Sequence, residues 1–506
     1  MTVIRVKISG FCIFMQLNMH EARPVKGKKN MLEEIAKQAP PLNLLDHGPR
    51  DAGRLRTAAK FKRLADLWRL DANFRAAYRL DPEKTLADTG LDIEPEAFRL
   101  YLNPGETEKL LRGIREGGRG ADTLPESFLL YYRALWEGQQ RHKQMREKHL
   151  VPDEPRFRAW RARQERRLRL QLGRAAADSM IQPPLAFELS DGCSVGCPFC
   201  GLSAKRLRGI FRHTGENAAL WRETLSRMHA LIGSAAGFGL CYYATEPLDN
   251  PDYEKFLDDW YREFGTVPLT TTAVSVRDLE RTRALLRYND EKGCYYYRLS
   301  VLSPAMRDTL LAAFTPEELL RVFLQPQFPE APGNNFTKAG RSRDENEKDA
   351  VGSTISCVSG FVVNMQEKTV RLETPFVSDR DHPTGEWFLE KCAFTTAADL
   401  EAKIRRMIDR YMPGELDLKK LCGSSCDFRL EDAVGSVRVL ARGGSMVLLE
   451  DPMEQAALDT LGDALRERRY TGRELLDLLS ERTDAIRSFF LLSMLRHQGL
   501  VDQIAD

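Results

Sequence analysis

No stretch of the sequence approaches ~18 uninterrupted apolar residues, which excludes a transmembrane helix from the reading. Charge of one sign is also lacking: 75 Lys and Arg against 73 Asp and Glu leave +2, so the net charge indicates no bulk polyanion binder. No cleavable signal is expected, because Gln16 and Asn18 interrupt the short apolar run after Arg5 and Lys7, and no small-x-small site follows. The start reads as an N-terminal strand or a mobile segment, and a cytoplasmic protein is expected. Internal repeats and low-complexity tracts are absent. Cysteine is scarce, ten in 506 residues, too few for a disulfide framework. At 42% hydrophobic and 29% charged the composition argues against disorder. At ~150 residues per domain the length suggests about three domains, though one large barrel could absorb two of those shares.

Texture divides the chain. Residues 1–60 are expected to carry little structure, with Pro40-Pro41 near Asn43 and Gly48. Helical periodicity marks 61–180, as in Leu64, Leu67, Trp68, Phe74, Ala77 and Tyr78. Within it, residues 141–174 hold twelve Lys or Arg against four acids, which reads either as a solvated helical face or as a docking surface for an acidic partner. Over 181–395 short apolar runs alternate with helical patterns. The runs lie at 185–189, 238–244, 267–274, 295–302, 322–328 and 357–364, with a hairpin partner at 369–376. Six such strands with crossover helices predict an α/β fold, a parallel β/α barrel or open half-barrel. A helical connector is expected over 396–436. A strand pair and three helices over 437–506 have the size of a winged-helix domain.

Three of the ten cysteines crowd into one loop, Cys193-x3-Cys197-x2-Cys200, directly after the first predicted strand and an Asp191-Gly192 turn. Three thiolates can hold three corners of a [4Fe–4S] cube, leaving one iron open to a chelating small molecule. The carboxyl end of a first barrel strand is also where β/α barrels place their chemistry. Structural zinc is the alternative, but it wants four ligands, usually two spaced pairs, and no second Cys/His pair lies nearby at finger spacing.

This motif, with Phe199 just before the last cysteine, resembles that of the radical S-adenosylmethionine (SAM) superfamily. The resemblance implies a partial (β/α)6 barrel whose cluster, on Cys193, Cys197 and Cys200, chelates SAM. It also implies an external electron donor such as flavodoxin or ferredoxin. The superfamily's Gly-Gly-Glu after the second strand is matched only by Glu246, in Tyr243-Ala244-Thr245-Glu246-Pro247. Arg298 and Ser300 of the fourth strand would face the ribose and carboxylate of SAM, with Phe199 beside the cluster. Ordinary strand alternation is the alternative for that pair.

The strings 242–256 and 353–376 resemble radical SAM peptide epimerases of the proteusin type, more loosely so over 60–400, and residues 70–95 resemble leader peptides of precursors. One departure is Phe376, near which this family is expected to have a cysteine. The likeness implies conversion of L-residues to D-residues in a ribosomally made precursor peptide with a leader. Inversion needs a second hydrogen source on the opposite face, and a thiol suits. Cys357 is the first choice, against a role as buried hydrophobe, and Cys392 the second. Cys241 and Cys294 read as core. Cys392, Cys422 and Cys426 could ligate an auxiliary cluster. The C-terminal segment weakly resembles winged-helix leader-recognition elements. No membrane or nucleic-acid partner is expected, since acids interleave with Arg466, Arg468, Arg469 and Arg473. The alternatives are another radical SAM peptide maturase making thioether or carbon–carbon crosslinks, and a zinc-stabilised winged-helix regulator without catalysis.

Overall fold

The computed structural model describes residues 31–44, 51–116, 124–293, 297–334, 336–343, 354–424 and 426–504. The N-terminal strand reading, Cys12 and Cys294 lie outside these residues.

The first helices are α1 (Met31–Ala36), α2 (Ala52–Leu70), α3 (Ala72–Leu80), α4 (Pro82–Asp88), α5 (Pro95–Leu102), α6 (Pro104–Arg115) and α7 (Glu126–Gln144). Proline opens α4, α5 and α6, where its missing N–H is no loss. Phe61, Phe98, Tyr101 and Phe128 meet edge to face or stacked at the centre of this module. Residues 31–44 differ from expectation. Leu42 and Leu44 are buried, and their amides donate to Glu137 of α7 at 2.9 and 3.0 Å.

Part of the basic run departs from both of its readings, while Lys143, Lys148, Arg156, Arg158 and Arg174 are exposed. The run continues from α7 into α8 (Pro155–Leu172) and ends as α9 (Arg174–Ser179) begins. Arg161 and Arg163 are buried, so neither a solvated face nor a docking surface describes them. Arg161 donates to the carbonyls of Leu150, Gln182 and Ser359, a structural role that needs a cation with several donors. Phe157 and Trp160 on the same helix enter the core of the parallel sheet, while Leu168, Leu170 and Leu172 enter the C-terminal core.

That sheet starts with β1 (Leu185–Glu188), after which β2 (Ser190–Asp191) pairs with β3 (Gly209–Ile210). Helix α10 (Gly215–Ile232) leads to Leu240, which makes parallel bridges to Ala186 and to Leu269, and α11 (Tyr253–Phe264) leads to β4 (Thr270–Thr272). Helices α12 (Leu279–Glu291) and α13 (Pro304–Ala313) connect β4 to β5 (Tyr297–Val301) and β5 to β6 (Val322–Pro326). β7 (Gly360–Asn364) follows, then β8 (Thr369–Pro375) and β9 (Glu386–Ala393) as antiparallel additions.

The six parallel segments therefore exist, but their order differs from a simple succession. β7 lies parallel beside β1, with Leu185 opposite Phe361 and Glu188 opposite Asn364. On the other side of β1 come Leu240, β4, β5 and β6. Edge strand β6 is covered by α2, whose Lys62 and Arg69 donate to Val322 O at 2.7 Å and Leu324 O at 3.1 Å.

One face of this sheet is apolar. Leu185, Phe187, Leu299, Val301, Leu324 and Val363 pack with Trp221 of α10 and Trp260 of α11. Because alternate residues face opposite ways, Glu188, Arg298, Ser300, Gln325 and Asn364 share the other face. Helix α14 (Ala397–Tyr411) closes the apolar layer against α10.

The C-terminal module contains a meander, β11 (Phe428–Ala433), β12 (Ser436–Ala441) and β13 (Gly444–Leu449), preceded by β10 (Leu421–Gly423). Helices α15 (Gln455–Glu467), α16 (Gly472–Leu479) and α17 (Ala485–His497) follow, with β14 (Tyr470–Thr471) between the first two and β15 (Asp502–Ile504) after the last. The strand pair expected here belongs to the meander, whereas β10 pairs with both β14 and β15. Among the described residues no helix is long and apolar enough to cross a membrane.

Candidate functional site at the carboxyl end of the parallel sheet

The loop over residues 192–208 leaves β1 and is closed by the β2–β3 pair. Gly192 makes its first turn at φ +90°, and a Cβ there would lie 2.3 Å from Arg206 O, so only glycine fits. Cys193 is stitched in at both backbone groups: its amide donates to Lys205 O at 2.9 Å, and its carbonyl accepts from Leu207 at 3.2 Å. Cys193, Cys197 and Cys200 are all half-buried. The Ala204 amide donates to Cys200 Sγ at 3.4 Å. Burial pushes the Cys193 thiol up to about 11, with the carboxylates of Glu246 and Asp249 adding and the amides of Val195 and Gly196 opposing. Burial also raises Cys197, helped by Cys200 and Glu246. Phe199 stacks on Phe336 at 4.5 Å, and Arg341 donates its amide to Cys200 O at 3.0 Å.

A latch joins this loop to the one after Leu240. Asp249 accepts from the Ser194 amide at 2.8 Å and hydroxyl at 2.5 Å, and Arg277 reaches Ser194 Oγ at 3.0 Å. Three residues before Asp249, Glu246 is only 3% exposed. Its carboxylate accepts from Thr272 Oγ1 (2.6 Å), the Ala273 amide (2.8 Å) and the Leu248 amide (3.1 Å). Burial pushes its pKa up to about 7 against those three donors. Arg298 is buried and donates through Nε to Thr271 Oγ1 at 3.1 Å, which also meets Tyr242 OH at 2.7 Å. Ser300 lies on the same strand face, opposite Gln325 in register. Oε1 of Gln325 is buried without a hydrogen-bond partner among the described residues.

The remaining cysteines separate. Cys357 lies in the segment before β7, wholly buried among Ala186, Leu240, Tyr242, Tyr243, Leu269 and Val362. Cys392 is half-buried on β9 against the core of the parallel sheet, and Cys241 is within that core. Cys422 and Cys426 are buried in the C-terminal core instead. Cys392 thus stands in a different core from the pair with which an auxiliary cluster would need it.

Among the described residues no three His, Cys, Asp or Glu side chains converge as a metal site. The chemistry of the loop nevertheless suits an iron–sulfur cluster held by three cysteines. Its donors are three soft thiols with no carboxylate or imidazole between them along the loop, and backbone amides face the sulfurs of Cys193 and Cys200.

Sequence reading missed a second polar group on the same sheet face. Arg371 of β8 forks onto Glu188 at 3.0 and 3.3 Å and reaches Glu373 at 2.7 Å. Tyr243 OH donates to Glu386 Oε1 at 2.7 Å and lies 2.7 Å from Ser356 Oγ. The available signal was the i, i+2 placement of Arg371 and Glu373 in a run read as an apolar hairpin partner.

No family model matches the chain. The uncharacterised protein y4wI of Sinorhizobium fredii is 34% identical to it over 373 residues, covering 71% of this chain and 71% of that one. Among solved structures, the crystal structure of BtrN in complex with AdoMet and 2-DOIA aligns with 15% identity and a TM-score of 0.27. That alignment covers 38% of this chain and 72% of that one, a likeness too slight to bear on fold or function.

Proposed function

The chain belongs to the protein family of the Sinorhizobium fredii protein y4wI, and we propose that it is a radical SAM enzyme that inverts L-residues to D-residues in a ribosomally made precursor peptide. The observation that carries this reading is the three-cysteine loop at the carboxyl end of the first parallel strand, with the buried carboxyl of Glu246 close enough to raise two of its thiols. When bound, a [4Fe–4S] cluster held by Cys193, Cys197 and Cys200, together with SAM, supplies the 5′-deoxyadenosyl radical that removes a Cα hydrogen.

The chain's own residues then have distinct tasks. Glu246 accepts hydrogen bonds from the SAM amino group, a role for which its third-strand contacts already orient it. Arg298 and Ser300 face the ribose and carboxylate, and Phe199 shields the cluster side. Cys357 returns hydrogen to the Cα radical from the opposite face, which requires the buried segment before β7 to open toward the bound peptide. The leader engages the C-terminal module, and an electron donor of the flavodoxin or ferredoxin type docks externally.

The test is anaerobic reconstitution with iron and sulfide, then reaction with a candidate precursor in D2O. Wild type should cleave SAM to 5′-deoxyadenosine and add about one mass unit per inverted residue, because an exchangeable S–D supplies the new hydrogen. Cys357→Ala should still cleave SAM but yield little D-residue, with Cys392→Ala as the control. D-residues free of deuterium would exclude the thiol mechanism. A crosslinked product would replace epimerisation by another maturation, and a colourless protein binding one zinc would favour the regulator.

A further inference from the structure

Cys357 has no exposed surface, so once it has given up its hydrogen atom it must be recharged from within the protein. The neighbouring polar group is built for that. Glu188, Glu373 and Glu386 are each no more than 5% exposed; among the described residues Arg371 pairs with Glu188 and Glu373 and its charge also acts on Glu386. Three carboxylates around one guanidinium leave an excess of negative charge that burial does not tolerate, so the group holds a proton. Glu188 has the guanidinium fork, an Asn364 amide at 3.2 Å and the Ala244 amide at 3.0 Å, and stays ionised. Burial raises Glu373 as well, against the Arg371 guanidinium and the Tyr243 hydroxyl. Glu386 faces Glu373, Arg371, Thr384 and Tyr243, and burial followed by the Glu373 charge raises it to about 8. Its bond to Tyr243 continues through the phenol to Ser356, the residue next to Cys357. The Tyr243 phenol is itself raised by burial, by Glu373 and Glu386, and then by Cys357, and phenol and thiol belong to the same buried cluster.

We propose that Glu386, through the hydroxyls of Tyr243 and Ser356, supplies the proton that regenerates the Cys357 thiol. The inference rests on Cys357 as hydrogen donor. In the donating step the S–H bond breaks homolytically and a Cα–H bond forms, leaving a sulfur-centred radical. One electron from a low-potential iron–sulfur or flavin protein and one proton from Glu386 restore S–H. With the Glu386 proton on Oε1, Tyr243 turns from donor to acceptor in that contact and donates to Ser356; Tyr243 and Ser356 each pass on one proton and receive another, so neither changes overall. The Glu386 carboxylate then takes a proton from solvent.

The proposal can be tested on the cluster-free protein. Transfer to D2O converts S–H to S–D, followed by infrared spectroscopy, and the Cys357 component is the part of the band missing in Cys357→Ala. Tyr243→Phe keeps the ring and removes the hydroxyl, and Glu386→Gln keeps the shape and removes the acid. Each should slow exchange of that component at least tenfold. In the reconstituted enzyme, repeated turnover should fall as pH rises through about 8 and Glu386 loses its proton, and Glu386→Gln should abolish that profile. Unchanged exchange in both variants overturns the relay, whatever the enzyme makes. Slowed exchange in a protein that forms no D-residues supports the relay and removes the epimerase reading instead.

Discussion

Cys193-x3-Cys197 and Cys422-x3-Cys426 have the same spacing and opposite surroundings. The first pair is half-buried on a polar loop, reached by backbone amides and adjacent to the Glu246 carboxyl. The second is buried in an apolar core, where Gln503 and Gln171 meet the sulfurs at 3.9 and 3.5 Å; burial lifts Cys422 to about 11, as it does Cys193, and Cys426 to about 12. A thiolate needs donors and room for a metal, whereas a packed thiol needs only neighbours. Spacing alone cannot tell them apart.

The largest expected effect separates the pairs by iron content. Cys193→Ala, Cys197→Ala or Cys200→Ala should each abolish formation of 5′-deoxyadenosine and lower bound iron to background after reconstitution. Cys422→Ala and Cys426→Ala should retain the iron of wild type. Iron lost from the C-terminal pair as well would make the two environments equivalent in function and break the contrast. Next in size is Gly192→Ala. Its Cβ meets Arg206 O at 2.3 Å in a positive-φ conformation, so the loop must open at a cost of about 1–3 kcal/mol. Reconstituted iron should fall several-fold although every ligand is intact.

Stability should invert the order of the two pairs. Cys426→Ala removes a packed sulfur and deprives Gln171 Nε2 of its partner, which should cost about 1–2 kcal/mol in denaturant unfolding. Cys197→Ala, on a half-exposed loop, should stay within about 0.5 kcal/mol of wild type in the same cluster-free measurement. Equal costs would mean that the loop thiols are packed as tightly as the core ones.

The same distinction explains what the sequence disclosed. The cysteine loop was legible because all of its ligands fall within eight residues, and α11 was legible because its apolar stripe and Gly265 stop are local. The Glu188–Arg371–Glu386 group was not, since it is assembled from strands nearly two hundred residues apart: Arg371 alone reaches 183 residues back to Glu188. Arg161 misled for the same reason. Its carbonyl partners include Ser359, 198 residues away, and a charge-rich helix gives no local sign that such acceptors await it. The position of β7 beside β1 is likewise a non-local pairing, which strand count and helix alternation leave open. The run around Leu240 looked like a full strand because it is apolar throughout, yet it contributes only one bridge to each neighbour.

The smallest prediction tests whether Glu246 is what sets the loop thiols apart from the core pair. Its carboxylate disfavours the thiolates of Cys193 and Cys197 and has no such effect on Cys422 or Cys426. The sign depends on pH. Below about 7 Glu246 is protonated and carries no charge, so Glu246→Gln should change little there. As pH rises through about 7 the wild-type carboxyl ionises and holds the thiols protonated, whereas the amide does not. Alkylation of Cys193 and Cys197 in the cluster-free variant should therefore become two- to fivefold faster than wild type at pH 8, with no difference at pH 6. Cys422 and Cys426 should remain unmodified in both proteins until they unfold. An acceleration that is the same at pH 6 and pH 8 would assign the effect to a loosened loop, since only the removal of an ionising carboxylate acts on one side of its own pKa.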